Sequence, residues 1–145
     1  MESMMRQRFA DEGLTITYDG SVRQTTLSHR LFAKAYAVGG QEMQLRTIER
    51  VYRTYFSEGK DIGDVEVLVP VAVESGVFED GEEARKWLEG EEGVEEYRKG
   101  IMQAQTAGIR GVPHFTINGK WAVSGAQDTD LFVKIFERIA DGELR

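Results

Sequence analysis

The chain has 145 residues, enough for one globular domain that buries roughly two-thirds of the surface its unfolded chain exposes. A net charge of −7 argues against nucleic-acid binding, which needs clustered lysine and arginine, and the absence of cysteine excludes disulfides and thiolate catalysis in this chain. No apolar run approaches the ~20 residues that span a bilayer, and the N-terminus lacks a signal-peptide pattern, so we expect a cytoplasmic protein without a membrane partner.

The N-terminal segment is predicted to contain a helix and then a strand. Met5 and Phe9 fall at helical spacing within residues 1–11. Residues 14–18 alternate between apolar and polar side chains, and an Asp-Gly turn signal follows them. We therefore expect a helix over residues 1–11 and a β-strand over residues 14–18.

Two helices are predicted next, separated by a glycine pair. Thr25 or Thr26 can begin the first helix, and Gly39-Gly40 can end it. The second helix covers residues 41–57, and its apolar stripe is unusually aromatic. The residues of this stripe are Leu45, Ile48, Val51, Tyr52, Tyr55 and Phe56.

Residues 65–73 leave two predictions open. Their β-branched side chains favour a strand, and a proline inside a helix, here Pro70, costs about 3 kcal/mol. Asp61 and Asp64 nevertheless resemble the cap of a helix that starts just after them. Two further helices are expected, one over residues 80–88 with Ala84, Trp87 and Leu88 inward, and one over residues 92–106 with Val94, Tyr97, Ile101 and Ala104 inward.

The C-terminal part is predicted to form a β-hairpin and a closing helix. Residues 112–117 are rich in β-branched and aromatic side chains, and Asn118-Gly119 is typical of a type I′ turn, which needs two positive φ angles. Residues 120–124 return as the second strand. The helix after Asp128 has an apolar stripe formed by Leu131, Phe132, Ile135, Phe136 and Ile139.

Three motifs in this order resemble the DsbA-like thioredoxin-fold family, in the branch of FrnE and the 2-hydroxychromene-2-carboxylate isomerases. They are the run from Thr26 to Leu31, the run from Tyr55 to Ile62, and Gly111-Val112-Pro113 followed by residues 118–127. The resemblance implies a helix over residues 65–73, bent near Pro70. It also implies a cis peptide bond before Pro113, beside the active site.

The resemblance implies an α+β, mostly helical fold: a single truncated DsbA-like domain over residues 1–145. A helical block covers about residues 21–108, and a ββα unit covers residues 109–145. The βαβ unit that carries Cys-x-x-Cys, or a serine, in these relatives has no counterpart in the sequence. We therefore expect no thiol–disulfide exchange.

Candidate site residues come from both parts of the chain. His29 and His114 are the candidates for catalysis, although a structural histidine is the plainer interpretation of each. The resemblance points to Val112 and Pro113 as an open strand edge for a peptide or glutathione. The remaining candidates for substrate binding are Tyr52, Tyr55, Ser124, Gly125, Ala126 and Gln127. We expect no metal, since the two histidines have no matching carboxylates.

The favoured function is binding of a small molecule or peptide without redox chemistry. FrnE-like relatives imply an isomerase or cyclase role in polyketide-type secondary metabolism. Two alternatives stay open: a C-terminal fragment of a DsbA-family thiol–disulfide oxidoreductase, or a non-enzymatic dimerisation module. No cofactor is expected apart from glutathione as a candidate. We expect a homodimer, because a lone hairpin is marginal in water and the closing helix offers more apolar surface than the hairpin can cover.

Overall fold

The computed structural model describes residues 1–21 and 24–143, and in those ranges it is mostly helical with one small antiparallel sheet. This is the α+β architecture that the sequence predicts. The chain divides into two compact units, Met1–Gly100 and Ile101–Arg145. The elements are α1 (Glu2–Asp11), α2 (Thr26–Tyr52), a π-helical turn (Arg53–Ser57), α3 (Val65–Glu74), α4 (Gly81–Glu89), α5 (Val94–Thr106), β1 (His114–Ile117), β2 (Trp121–Ser124) and α6 (Thr129–Ala140).

The hydrophobic core lies in the first unit, where α2, α3 and α4 meet. Removing a large aliphatic side chain from water stabilises the fold by about 1.5–3 kcal/mol, so this cluster holds the three helices together. Its members are Leu31, Ala35, Val51, Leu68, Val71, Ala72, Val77, Phe78, Ala84, Trp87 and Leu88. The inward residues predicted for α4, namely Ala84, Trp87 and Leu88, are all buried.

The helix α2 is interrupted at Gly39 and Gly40, where the sequence predicts that one helix ends and another begins. The backbone angles of both glycines are not helical, and Gly40 has a φ of 65°, which side chains with a Cβ rarely adopt. The amide nitrogen Nε2 of Gln44 donates to the backbone oxygen of Phe32 at 3.3 Å. A straight helix would hold these two residues about 18 Å apart, so α2 folds back on itself at the glycine pair.

The segment from Val65 to Glu74 is a helix, as the family resemblance implies and the β-branched composition does not. The carboxylate of Asp64 accepts the backbone N–H of Glu66 and caps its first turn. Pro70 lies inside the helix with its own side exposed to solvent, while Leu68 and its neighbours on the other side are buried. Burial of that apolar face offsets the cost of the proline.

The strand predicted over residues 14–18 is wrong. These residues pair with no other strand in the described part of the chain; their backbone instead bonds to helices. The backbone N–H of Thr17 donates to Phe56 O at 2.7 Å, and Ser57 Oγ donates to Thr15 O at 2.7 Å. Alternating polarity reports one buried side, here Ile16, but it does not say what the backbone bonds to.

The second unit contains the predicted hairpin and closing helix. The strands pair in the register His114↔Ser124 and Ile117↔Trp121. Asn118 and Gly119 have φ angles of 51° and 68°, so the turn has the two positive values that the Asn-Gly signal predicts. The ring centroids of Phe115 and Phe132 lie 4.9 Å apart, which packs α6 on one face of the hairpin.

The second unit buries its apolar side chains poorly. The inward packing expected of Ile101 is wrong, because Ile101 is 41% exposed. In α6, Leu131 is 38% exposed and Phe136 is 54% exposed, so part of its apolar stripe is uncovered. Among the described residues 101–143, none falls in the buried class. A two-stranded hairpin presents too little surface to cover the apolar stripe of a helix as long as α6.

Within residues 1–21 and 24–143, no helix combines the length and the apolar character that crossing a bilayer requires.

Candidate functional site

Three of the predicted site residues line one cavity in the first unit. His29 comes from the start of α2, Tyr52 from its end, and Tyr55 from the π-helical turn that follows. The cavity has a volume of about 240 Å³. We call it the aromatic cavity, and its lining is Ser21, Thr25, Ser28, His29, Phe32, Val51, Tyr52, Tyr55, Phe56 and Ile62.

The fold at Gly39–Gly40 builds this cavity. A straight helix from His29 to Tyr52 would span roughly 35 Å, which no single small cavity could bridge. With α2 folded back, both residues reach the same space. The hydroxyl of the buried Ser28 donates to the backbone oxygen of Ile62, which ties the start of α2 to the segment before α3 at the cavity wall.

His29 is held by aromatic neighbours. Its ring stacks on Tyr97 with centroids 6.0 Å apart and an interplanar angle of 29°. Phe32 meets the same ring edge-on at 5.6 Å. Such contacts contribute about 0.5–1.5 kcal/mol each and fix the plane of the imidazole. His29 is exposed rather than buried, and it belongs to the lining of the cavity.

The π-helical turn forms another part of the cavity wall, and hydrogen bonds from Arg50 stabilise this turn. The Nη1 atom of Arg50 donates to Thr54 Oγ1 and to Glu58 Oε1, while its Nε donates to Glu74 Oε2. Thr54 Oγ1 in turn donates to the backbone oxygen of Arg50. Short π-helical turns are frequent at functional sites. Here the wider turn directs Tyr55 and Phe56, whose centroids are 4.9 Å apart, towards the cavity.

The aromatic cavity carries no charged lining residue among the residues that the structure describes there. Its polar groups are the hydroxyls of serine, threonine and tyrosine and the imidazole of His29. An ion without a counter-charge is costly to take out of water, so this lining favours a neutral ligand. Glutathione, with two carboxylates and an ammonium group, does not suit it.

A second group of predicted residues lies together in the second unit. The Val112–Pro113 peptide bond is cis. The oxygen of Pro113 accepts the N–H of Gly125 at 2.8 Å, and Gln127 Nε2 donates to Ser124 O at 3.2 Å. His114 is the cross-strand partner of Ser124. Ala126, the residue after Gly125, is exposed to solvent.

This second group forms a strand edge rather than a cavity. Pro113 and Gly125 are a hydrogen-bonded pair, so the alternation of an antiparallel ladder turns the backbone N–H and C=O groups of His114 outwards. Val112 is 91% exposed. An extended peptide can add to such an edge. The role of each of these residues stays a prediction.

In the described residues, no group of three or more histidine, cysteine, aspartate or glutamate side chains is arranged to hold a metal ion. His29 and His114 lie in different units of the chain.

Residues 1–137 match the family described as the DSBA-like thioredoxin domain. The chain belongs to this DsbA-like family. A similar protein is the uncharacterized protein YwbO of Bacillus subtilis (strain 168), which is 33% identical over 104 residues. That alignment covers 71% of this chain and 48% of YwbO, so the chain spans about half the length of the curated relative it matches.

The aromatic cavity of this DsbA-like chain includes residues that the sequence prediction missed. The sequence predicts Val51 only as part of an apolar stripe, and it does not predict Phe32, Ser21, Thr25 or Ile62 for the site. A signal was available for Phe32, because it lies one turn from His29 on the same helix face. Placing Ser21 and Ile62 requires knowing how the loops beside α2 run, which periodicity does not reveal.

Proposed function

We propose that this DsbA-like chain binds a small, neutral aromatic molecule in the aromatic cavity and performs no thiol–disulfide exchange. One observation carries the proposal: His29, Tyr52 and Tyr55, which are distant in sequence, line a single cavity with apolar walls, and none of its lining residues that the structure describes is charged. A volume of about 240 Å³ lies below the ~300–1,000 Å³ typical of drug-sized ligands, so the ligand is a molecule of one or two rings.

The lining also suggests how the ligand is oriented. Aromatic side chains favour stacked or edge-on contact with a flat ring, and Tyr55, Phe56 and Phe32 surround the space on both sides. His29 and Thr25 supply hydrogen-bonding groups at one end. A phenol, with an apolar ring and one hydroxyl group, combines the features that these walls can satisfy.

The finer assignment follows from the sequence motifs. We place the chain in the FrnE-like branch and propose isomerase or cyclase chemistry on an aromatic polyketide-type compound. Both reactions move protons without a redox change. His29 is the proton-transfer group of choice in the cavity, because a neutral imidazole carries one N–H donor and one acceptor nitrogen.

Binding of 1-naphthol, followed by titration calorimetry or tyrosine fluorescence, tests the proposal. We expect saturable binding with one site per chain, and a loss of affinity of roughly tenfold in Tyr55→Ala, since one ring contact and its buried area are removed. Naphthalene-1-sulfonate has the same rings and a fixed negative charge, and we expect it to bind much more weakly.

The matched control is Tyr36→Ala, because Tyr36 lies on α2, is 58% exposed, and is absent from the lining of the aromatic cavity. Tyr52, which is 54% exposed, does line it. Tyr52→Ala should weaken 1-naphthol binding and Tyr36→Ala should leave it unchanged. Equal binding by both variants, or equal affinity for the sulfonate, would reject the proposal.

The open edge at Val112 and His114 supports a second candidate function, the binding of an extended peptide or of glutathione. Its support is the outward direction of the backbone groups of His114 together with the exposure of Val112. Titration with an unlabelled extended peptide should shift the amide resonances of Val112 and His114. The amide of Phe115, which the same alternation turns towards β2, is the internal control. Shifts confined to the cavity residues would reject this second function.

A further inference from the structure

A second apolar depression lies on the other side of Tyr52 and Phe56. It has a volume of about 480 Å³, twice that of the aromatic cavity. Its walls come from α1, from the segment after α1, from the π-helical turn and from the part of α2 that follows Gly40, which we call the second arm of α2. We call it the α2 groove, and its lining is Phe9, Leu14, Leu45, Ile48, Glu49, Tyr52, Arg53, Phe56 and Ser57.

The α2 groove is apolar and open to solvent. Leu45 is 55% exposed, Tyr52 is 54% exposed and Leu14 is 48% exposed. Leu45 and Tyr52 both belong to the aromatic stripe that the sequence predicts for this helix. Their spacing along α2 places them on one side of the helix. Exposed large apolar side chains that form one continuous patch mark a surface where another molecule binds.

We propose that the α2 groove binds the same groove of a second copy of this chain, with the second arms of α2 antiparallel across a two-fold axis. With that axis near residues 50 and 51, Leu45 of one copy lies opposite Phe56 of the other, because the two positions are equally far from it. A closed two-fold interface uses the same patch twice, so the patch must be complementary to itself.

The charges of the groove meet this requirement. Glu49 and Arg53 lie one helical turn apart, and the same axis brings Glu49 of one copy beside Arg53 of the other, twice per dimer. Within one copy their side chains are 77% and 60% exposed, and the closest N···O distance is 3.8 Å. Such a loose surface pair contributes little within a chain. Both charges are therefore available to a second copy, where complementary pairs fix the register.

This site differs from the dimer surface that the sequence suggests, which is the hairpin and α6. It also goes beyond the proposed function, because neither Glu49 nor Arg53 lines the aromatic cavity. The occupant that competes with a second copy is a small apolar molecule held in the groove. Light scattering of the purified chain, combined with native mass spectrometry, distinguishes the two.

We expect the purified wild-type chain to have a mass of twice 16.4 kDa at micromolar concentration. Glu49→Arg places a new guanidinium beside Arg53 of the second copy, and Arg53→Glu places two carboxylates together. Like charges across an interface are strongly unfavourable, so each single variant should raise the dimer dissociation constant by roughly tenfold or more. The double variant, Glu49→Arg with Arg53→Glu, restores both pairs and should restore the dimer.

The matched control is the exposed pair of Glu95 and Arg98 on α5, whose N···O distance is 2.9 Å. Reversing either of these charges should leave the mass unchanged. A wild-type mass of 16.4 kDa over this concentration range would overturn the proposal, and so would a double variant that stays as dissociated as the single ones. A monomer that retains a small molecule in native mass spectrometry would identify the competing occupant. Circular dichroism of each variant shows whether it is folded.

Discussion

The guanidinium carbon of Arg30 lies 4.9 Å from the ring centroid of Trp87, and the Nη2 atom of Arg30 donates to the backbone oxygen of Trp87 at 3.3 Å. The same guanidinium donates to the backbone oxygens of Leu88, Gly90 and Glu92, the last at 2.6 Å from Nη2. These carbonyls lie at the C-terminal end of α4 and just after it. A buried cation therefore satisfies them and interacts favourably with the negative end of the helix dipole.

Replacing Arg30 with methionine should destabilise the fold by about 3 kcal/mol, because several buried carbonyls lose their donor and the ring of Trp87 loses its cation. The stability of Arg30→Lys should lie between those of the wild type and Arg30→Met. An ammonium group lacks the planar fork of a guanidinium and cannot reach all four carbonyls. Urea unfolding followed by circular dichroism measures both variants.

Arg98→Met is the control for this experiment, because Arg98 pairs only with the exposed Glu95 in the same helix among the described residues. We expect it to cost less than about 0.5 kcal/mol. If Arg30→Met were as stable as Arg98→Met, the capping role of Arg30 would be wrong.

The helices α4 and α6 offer a matched test of capping. The carboxylate of Asp80 accepts the N–H groups of Glu82 and Glu83, both at 2.9 Å, at the start of α4. Asp128 occupies the equivalent position of α6, but its side chain makes no capping hydrogen bond. Asp80→Ala should cost about 1 kcal/mol of unfolding free energy, and Asp128→Ala should cost close to nothing. Equal effects, measured by urea unfolding, would contradict this assignment.

The ion pairs around Glu58 predict a pH dependence of stability. A hydrogen bond from Lys60, with further contributions from Arg50, lowers the pKa of Glu58 below its ordinary value. The folded chain therefore binds this proton more weakly than the unfolded chain does. The stabilisation is present above the ordinary glutamate pKa and is lost as the pH falls through the lowered pKa.

Glu58→Gln should accordingly lower the thermal midpoint at neutral pH and have a smaller effect at an acidic pH below the lowered pKa of Glu58. Thermal unfolding of both proteins at the two pH values measures this difference. A loss that is the same at both values would show that Glu58 acts through packing instead of through its charge.

The chain should show no disulfide reductase activity, because it contains no thiolate to attack a disulfide. Turbidimetric reduction of insulin in the presence of dithiothreitol measures this, and the rate should equal that of the buffer alone. A rate above the buffer control from pure protein would contradict the assignment of a non-redox role.

Local signals predicted much of the fold. The Asn118-Gly119 turn and the break at Gly39-Gly40 follow from the φ angles that those residues favour, and the cap at Asp64 follows from its side chain. The strand prediction for residues 14–18 is wrong because a strand is defined by the strand it pairs with, and here the backbone bonds to the end of a helix instead. The stripe that contains Leu45 and Tyr52 is predictable as one face of a helix, but periodicity does not show whether anything covers that face.

The candidate site was predictable only in part. His29, Tyr52 and Tyr55 were singled out separately, but their proximity depends on how α2 folds back, which is a tertiary property. The π-helical turn that directs Tyr55 and Phe56 towards the cavity has no sequence signature of its own. Its stabilisation by Arg50 depends on Glu74, which is distant in sequence.

The central claim is that the aromatic cavity binds a neutral aromatic ring, and a crystal of the chain soaked with 4-bromophenol tests it most directly. The anomalous scattering of bromine locates the ligand without any assumption about its contacts. We expect one strong peak inside the cavity, with the phenol hydroxyl towards His29 or Thr25 and the ring against Tyr55. A cavity that stays empty at saturating 4-bromophenol, or a peak found only among Leu45 and Ile48 in the α2 groove, would contradict the claim.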